Sequence, residues 1–230
     1  MKAYAIVIKG NKLSEAAFET LADSSKNVGN DFPIQKFEAV TPEYVDSTMK
    51  DYSIRWNYPW VGKEQCLETG LRKNAYRTDN PKARVGCALS HYLLWKRSVK
   101  INENIMVLEH DAMFTQRIDF DIDDCNMFIV GINNPLGATR LAREFYTNIM
   151  NNKQWVQPVP KIDHYDIPQG LAGNSAYIIK PSGASKMLEL VKQYGLWPND
   201  ALMCRQLVPR LGVTKKFYTK VQGLRSTTSL

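Results

Sequence analysis

The sequence lacks the signatures of several common protein classes. Its 230 residues include four cysteines with no C-x-x-C pair and three histidines with no H-E-x-x-H pattern. A disulfide framework and a dedicated zinc site are therefore not expected, and reduced thiols are the default. No G-x-G-x-x-G motif follows the first apolar run, which argues against a dinucleotide-binding enzyme.

Long apolar segments are missing as well. The apolar run at residues 3–8 is shorter than the hydrophobic region of a signal peptide. No stretch approaches the roughly 18 apolar residues that a membrane helix requires. We therefore expect a soluble, cytoplasmic protein with at most peripheral contact at the inner membrane face. Internal repeats and low-complexity segments are also lacking, so we expect one domain over residues 1–230.

The charge is basic but dispersed. A formal net charge of +7 admits nucleic acid, an anionic membrane surface or an anionic sugar donor as a partner. Without an unbroken basic run or a zinc-finger, RNP or basic-zipper signature, specific nucleic-acid binding is not expected. Most basic residues are expected on a solvated surface. Two groups of basic residues stand out. The group before the central helix comprises Arg72, Lys73, Arg77, Lys82 and Arg84. The group in the last thirty residues comprises Arg205, Arg210, Lys215, Lys216, Lys220 and Arg225.

The centre of the sequence carries its clearest pattern. Apolar side chains recur every three or four residues over 85–99, which predicts one face of a helix. Residues 105–108 are uninterruptedly apolar, as in a strand that is covered on both faces. Glu109 and Asp111 follow at the end of that strand, where open α/β sheets bind ligands. They are placed to hold a divalent cation against a phosphate, or they form a solvated acidic turn.

Strands and helices alternate through the first 190 residues. This alternation predicts a three-layer α/β domain with a mainly parallel sheet. The other predicted strands are 3–8, 34–40, 126–132 and 175–179, and the other predicted helices begin near 14, 42, 141, 182 and 199.

Two segments allow more than one interpretation. Residues 52–60 concentrate aromatic side chains around a proline, either as minor core packing or as a wall for an acceptor sugar. Residues 133–170 lose clean periodicity and collect prolines and glycines. A long irregular segment in a compact domain is usually functional or poorly ordered, so we consider this one a candidate lid and acceptor-recognition region.

Four pieces of the sequence, in order, resemble motifs of glycosyltransferase family 25, the lipooligosaccharide β-galactosyltransferases and their collagen-modifying relatives. They are residues 86–96 (GCALSHYLLWK), 107–112 (VLEHDA), 173–188 (GNSAYIIKPSGASKML) and 198–202 (PNDAL). His110 stands where the family has a second acid. The resemblance implies the single-domain GT-A nucleotide-diphosphosugar transferase fold and lipopolysaccharide biosynthesis. It further implies inverting transfer from a UDP-hexose, most often UDP-galactose, to a glycan acceptor.

The same resemblance implies roles for particular residues. Asp111 and Glu109 would bind Mn²⁺ or Mg²⁺, and Asn174 and Ser175 would contact the donor. Asp200 would be the catalytic base at a helix start, with a helix cap as the alternative. We expect the helix terminus to lower its pKa.

Further alternatives stay open at this stage. Ser90 and His91 either form a buried hydrogen-bonded pair in the core or contact the donor. The competing functions are a metal-dependent nuclease or phosphoesterase and a non-catalytic glycan-binding protein.

Overall fold

The computed structural model describes residues 1–76, 78–138 and 141–224. Within these ranges the chain forms eleven strands and six α-helices. The strands are β1 (Lys2–Val7), β2 (Ile34–Glu38), β3 (Lys63–Gln65), β4 (Arg72–Asn74), β5 (Ile105–Glu109), β6 (Ala112–Phe114), β7 (Ile129–Gly131), β8 (Val156–Pro158), β9 (Ala176–Ile179), β10 (Leu211–Thr214) and β11 (Thr219–Val221). The helices are α1 (Lys12–Asn27), α2 (Val45–Asp51), α3 (Pro81–Ile101), α4 (Ala142–Asn151), α5 (Pro181–Tyr194) and α6 (Asn199–Leu202).

Seven strands form the central sheet in the order β2-β1-β5-β9-β7-β10-β8. β1, β2, β5, β7 and β10 run in one direction, whereas β9 and β8 run against their neighbours. Two small antiparallel pairs, β3 with β4 and β6 with β11, lie outside this sheet. The predicted α/β class with a mainly parallel sheet is confirmed.

Helices cover both faces of the sheet. Tyr4 and Ile6 of β1 belong to the apolar cluster that contains α3 and α5. Ala3, Ala5 and Val7 alternate with them and pack in the cluster that contains α1. Because successive side chains of a strand point to opposite faces, β1 contributes to both cores.

The central helix begins earlier than its apolar pattern indicates. Asn80 accepts a backbone N–H in the first turn of α3, and Pro81 supplies the first helical residue. Asn102 ends the helix in the left-handed conformation. Gly86 lets α3 approach the chain after β2, since a Cβ there would lie 2.2 Å from the Val40 carbonyl oxygen.

The predicted segments differ from the structure mainly in length. The helix expected from residue 14 extends to Asn27, and the strand expected over 126–132 shortens to β7. The irregular segment 133–170 contains α4 and β8 between loops, with Thr139 and Arg140 outside the described residues. Across the described ranges, no helix is long and apolar enough to cross a membrane.

Candidate active site

A cavity of about 680 Å³ opens at the carboxyl edge of the central sheet. Its walls come from the ends of β1, β2 and β5, the first turns of α3, the residues before β9, α6, and the residues after β11. All the predicted site residues line it: Glu109, Asp111, Asn174, Ser175 and Asp200. These side chains therefore meet at the carboxyl edge of the sheet, which the sequence analysis indicated as the ligand-binding edge.

The antiparallel strand β9 explains why Asn174 and Ser175 reach the acidic residues. β9 pairs with β5 in the opposite direction, with Leu108 opposite Ala176. The start of β9 therefore lies at the carboxyl end of β5. The Glu109 backbone N–H donates to the Ser175 carbonyl oxygen at 2.8 Å, which fixes the two segments together.

Glu109 is held by a chain of buried hydrogen bonds. The Trp95 Nε1–H donates to the Tyr177 hydroxyl oxygen at 2.9 Å. His91 bridges the next two groups, with Nδ1 2.9 Å from that hydroxyl and Nε2 3.3 Å from Glu109 Oε1. Because a carboxylate only accepts, a neutral His91 carries its proton on Nε2 and accepts from Tyr177 through Nδ1. This arrangement fixes one oxygen of Glu109.

Electrostatics favour the ionised form of Glu109. Burial acts against ionisation, but the hydrogen bond with His91 and charge interactions that include Arg84 hold the pKa of Glu109 below its ordinary value. Glu109 is therefore a carboxylate at neutral pH.

Ser90 and His91 are both fully buried. Ser90 Oγ donates to the Gly86 carbonyl oxygen at 2.7 Å and accepts from the Val40 N–H at 2.9 Å. Ser90 thus fits the interpretation of a core hydrogen-bonding residue. His91 is also bonded within the core, but its second nitrogen contacts a predicted metal ligand, so His91 links the core to the site.

Asp111 differs from Glu109 in having an unsatisfied oxygen. Its Oδ1 is buried and has no hydrogen-bond partner among the described residues. Burial, together with the charge of Glu109, raises the pKa of Asp111 to about 7. A bound cation would relieve both effects.

The turn that carries Asp111 is held by Gln222. The Gln222 backbone N–H donates to the Asp111 carbonyl oxygen at 2.8 Å. Its side-chain Nε2 lies 3.0 Å from the Ala112 carbonyl oxygen and 3.3 Å from that of His110. Sequence reasoning missed Gln222 because more than 100 residues separate it from the turn.

His110 also lines the cavity. β5 ends at Glu109, and the next two residues form a turn to which the strand period does not apply. Burial lowers the pKa of His110, against the charge of Glu109.

The donor atoms of this wall fit a hard divalent cation. Buried polar atoms without partners among the described residues occur at Asp111 Oδ1, Ser175 Oγ and both side-chain atoms of Asn174 and Asn199, and all four residues line the cavity. Buried polar groups are nearly always paired with protein, water or a ligand, so this concentration leaves hydrogen-bonding capacity for water or a bound group. Carboxylate and amide oxygens suit Mn²⁺ and Mg²⁺.

A second donor set shares Glu109. Ligand atoms of Cys87, His91 and Glu109 lie within 4.8 Å of one another. Nitrogen and sulfur ligands are typical of zinc, but sulfur binds metals as the thiolate. Burial raises the pKa of the Cys87 thiol, so release of its proton to a metal would cost free energy, and we favour the pair of carboxylates as ligands.

Asp200 lies in the first turn of α6, as predicted. The Tyr76 hydroxyl donates to its Oδ2 at 3.0 Å. The expectation that its pKa is lowered is wrong. The surrounding protein excludes bulk water, and this desolvation raises the pKa of Asp200 against the lowering effects of Tyr76 and Arg84. The carboxylate remains exposed to the cavity itself. α6 has only four residues, so its terminus offers little compensation.

Two basic residues expected on the surface are placed elsewhere. Arg84 lines the cavity, with its guanidinium carbon 5.1 Å from the centre of the Tyr76 ring. The helical spacing of Arg84, Ala88 and His91 could have indicated this position. Lys73 is buried and forms an ion pair with Glu64 at 2.6 Å. The predictions for Arg77 and Arg225 lie outside the described residues.

Comparison with known proteins decides the family. The protein-family model described as glycosyltransferase family 25 (LPS biosynthesis protein) matches residues 18–203 of this sequence. The chain belongs to glycosyltransferase family 25. In this family 25 glycosyltransferase the matched region includes every predicted site residue, whereas Gln222 lies beyond it. The family resemblance noted from the sequence motifs is thus confirmed.

Other comparisons are more distant. A comparison with curated proteins gives no match. Among solved structures, mouse xyloside xylosyltransferase 1 in its apo form is similar to this family 25 glycosyltransferase, with 10% sequence identity and a TM-score of 0.38. The similarity covers 90% of this chain and 79% of the mouse chain.

Proposed function

We propose that this glycosyltransferase moves a hexose from a UDP-hexose to a hydroxyl group of a glycan, with inversion to a β-linkage. UDP-galactose is the first candidate donor. The observation that carries the proposal is the convergence of Glu109, Asp111 and Asp200 on one cavity, beside buried polar atoms that have no partner among the described residues. A nucleotide sugar offers phosphate oxygens and hydroxyl groups to such atoms.

Glu109 and Asp111 would hold Mn²⁺ or Mg²⁺ on the β5 side of the cavity. When bound, the cation supplies charge neutralisation for the diphosphate leaving group. His91 keeps one Glu109 oxygen in place, and Gln222 keeps the Asp111 turn in place. The side chains of Asn174, Ser175 and Asn199 are available to hydrogen-bond the donor.

Asp200 acts as the general base. The Tyr76 hydroxyl orients one carboxylate oxygen, and the other is available to the acceptor hydroxyl. As the acceptor oxygen bonds to the anomeric carbon, its proton passes to Asp200, and the bond to the diphosphate breaks on the opposite face of the sugar. Attack opposite the leaving group inverts the anomeric centre. A raised pKa strengthens the ionised carboxylate as a base.

The family's link to lipopolysaccharide biosynthesis supports a lipooligosaccharide precursor as the acceptor. Such precursors are assembled at a membrane surface, so we propose a cytoplasmic protein with peripheral contact at the inner face of that membrane. The basic residues are suited to contact with an anionic surface.

A thermal-shift panel of nucleotide sugars with and without Mn²⁺ tests this function, because specific ligands stabilise the folded state by mass action. We expect stabilisation by a UDP-hexose only when Mn²⁺ is present, together with slow donor hydrolysis. Binding without hydrolysis or transfer would indicate a non-catalytic glycan-binding protein. Cleavage of an oligonucleotide in Mn²⁺, without any response to UDP-sugars, would contradict the proposal.

A further inference from the structure

Two buried amide side chains of the main cavity are not used by the protein itself. Asn199 and Asn174 are only 7% and 8% exposed. Neither the oxygen nor the nitrogen of either amide has a hydrogen-bond partner among the described residues. Both residues line the cavity. Their hydrogen-bonding capacity is therefore left for water or for a bound group.

The backbone that carries these amides is fixed without their help. Asn199 begins α6, and its carbonyl oxygen accepts the Met203 N–H at 2.9 Å. Asn174 follows Gly173, which has a positive φ of 82°. A Cβ at Gly173 would lie 2.6 Å from the Cβ of Ala138, so this segment packs closely against the loop after β7. The two side chains are thus held at the cavity by contacts in which their amide groups take no part.

The chemistry of an amide indicates which part of a nucleotide sugar it can bind. An asparagine side chain offers one acceptor oxygen and one NH₂ donor. A diphosphate oxygen only accepts, so it would leave each Oδ1 unpaired. Adjacent hydroxyl groups of a sugar ring both donate and accept, so such a pair can satisfy both atoms of one amide. The amides therefore suit a sugar better than a diphosphate.

The position of Asn199 favours the sugar over the nucleobase. Uracil also carries donors and acceptors, but the proposed base Asp200 has to lie beside the sugar carbon that the acceptor attacks. Asn199 is its neighbour in the first turn of α6. A side chain next to the proposed base is therefore placed nearer to the donor hexose than to the uracil.

We propose that Asn199 determines which donor hexose is accepted, by hydrogen-bonding hydroxyl groups of the sugar ring, with Asn174 as a second contact. The inference rests on the proposed function and adds to it a specificity-determining residue. A donor that lacks the bound hydroxyl would leave the buried amide unpaired, and sites of this kind reject such analogues. We expect a discrimination of about 10- to 100-fold, the scale of one unpaired buried group.

Equilibrium binding in the presence of Mn²⁺ tests the proposal. The ligands are UDP, the preferred UDP-hexose and the four analogues of that donor that lack the hydroxyl group at C2, C3, C4 or C6. The parent should bind at least one deoxy analogue about 10- to 100-fold more weakly than the complete donor. Asn199→Ala should lose affinity for the complete donor by a similar factor, so that the two bind equally within about threefold. UDP itself should bind to Asn199→Ala within about twofold of the parent.

Melting curves without ligand separate this role from a structural one. Asn199→Ala removes no side-chain hydrogen bond among the described residues, so its melting temperature should not fall. A marked fall would make the amide structural and overturn the proposal. Asn174→Ala provides the same comparison at the second amide. The matched control is Asn126→Ala, which should change neither stability nor affinity, because Asn126 is exposed and does not line the cavity.

The outcomes distinguish the residue from the reaction. Loss of the preference for one hydroxyl group in Asn199→Ala, with unchanged UDP affinity, supports the proposal. Equal losses for UDP and the UDP-hexose would assign Asn199 to the nucleotide and overturn it. Unchanged discrimination in Asn199→Ala, or a parent that binds every deoxy analogue as tightly as the complete donor, would also overturn it. Absence of Mn²⁺-dependent UDP-hexose binding by the parent protein would instead refute the proposed function.

Discussion

The two carboxylate walls of the main cavity are built in different ways. On the β5 wall, Glu109 and Asp111 stand two positions apart in sequence, and their environments drive their pKa values in opposite directions. On the α6 wall, Asp200 is approached by Tyr76, which lies 124 residues earlier in the chain. A local motif thus creates the wall that we propose binds the metal, and tertiary packing creates the wall that carries the proposed base. Titratable groups whose pKa values are separated by their environments commonly have separate chemical roles.

The largest expected effect comes from removing the charge of the β5 wall. Asp111→Asn should abolish Mn²⁺-dependent donor binding and lower transfer by roughly 10³-fold, the upper scale for losing one electrostatic contact at a reacting group. The fold should survive, because Asp111 Oδ1 makes no hydrogen bond within the described structure. Titration with Mn²⁺ and UDP-hexose, with a melting curve as control, measures both effects. Unchanged metal-dependent affinity would refute the assignment.

The corresponding change on the α6 wall should separate binding from chemistry. We expect Asp200→Asn to bind UDP-hexose and Mn²⁺ normally while transfer falls by roughly 10² or more, the usual scale for a general base. Equilibrium binding and single-turnover rates provide the comparison. A weaker donor affinity with a proportionate loss of rate would make Asp200 a donor-sugar contact. Near-normal turnover would make it a helix cap.

The difference in pKa within the β5 wall predicts a pH dependence of metal binding. Mn²⁺ requires the ionised carboxylate, and protons compete for Asp111 below its pKa of about 7. Mn²⁺ affinity should therefore fall about tenfold per pH unit below that value and level off above it. Electron paramagnetic resonance of free Mn²⁺ at several pH values measures this. A flat profile between pH 5 and 7 would contradict the role of Asp111.

The smallest of these effects tests the hydrogen-bond chain behind Glu109. Tyr177→Phe removes the hydroxyl that joins Trp95 and His91, leaving their buried nitrogens without that partner. We expect a loss of about 1–3 kcal/mol in the free energy of unfolding. Mn²⁺ affinity should fall about tenfold, as when an outer-shell partner is lost. Exposed Tyr44→Phe is the control. A lower melting temperature with full Mn²⁺ affinity would show that this chain of hydrogen bonds is purely structural.

The contrast between the two walls also explains what could be predicted from the sequence. The apolar period of α3 and the continuous apolar run of β5 are local patterns, so these elements and the acidic residues after them were predictable. The reversed direction of β9 was not, because strand direction depends on pairing with distant segments. The pKa of Asp200 was wrongly predicted for the same reason: the sequence indicates a helix start but not the surrounding protein that removes water.

Aromatic residues 52–60 show the same limit. Trp56 stacks on Trp60 with ring centroids 5.0 Å apart, and neither lines the main cavity. Tyr58 is buried in the apolar core, and Trp56 packs against that core. Core packing and an acceptor wall were offered as alternatives for the whole stretch, and these contacts fit core packing.

Gln222 has a consequence for the order in which the protein acquires its site. Its side chain bonds the carbonyl oxygen of Ala17 at 2.9 Å, across 205 positions, as well as the acidic turn. Chains emerge from the ribosome with the N-terminal part first, so β1, β5 and α3 can pack before this residue has been synthesised. The acidic turn receives its last support only when β11 joins β6. A nascent chain can therefore complete its sheet edge first, and the proposed cation site becomes fixed only after Gln222 has been synthesised.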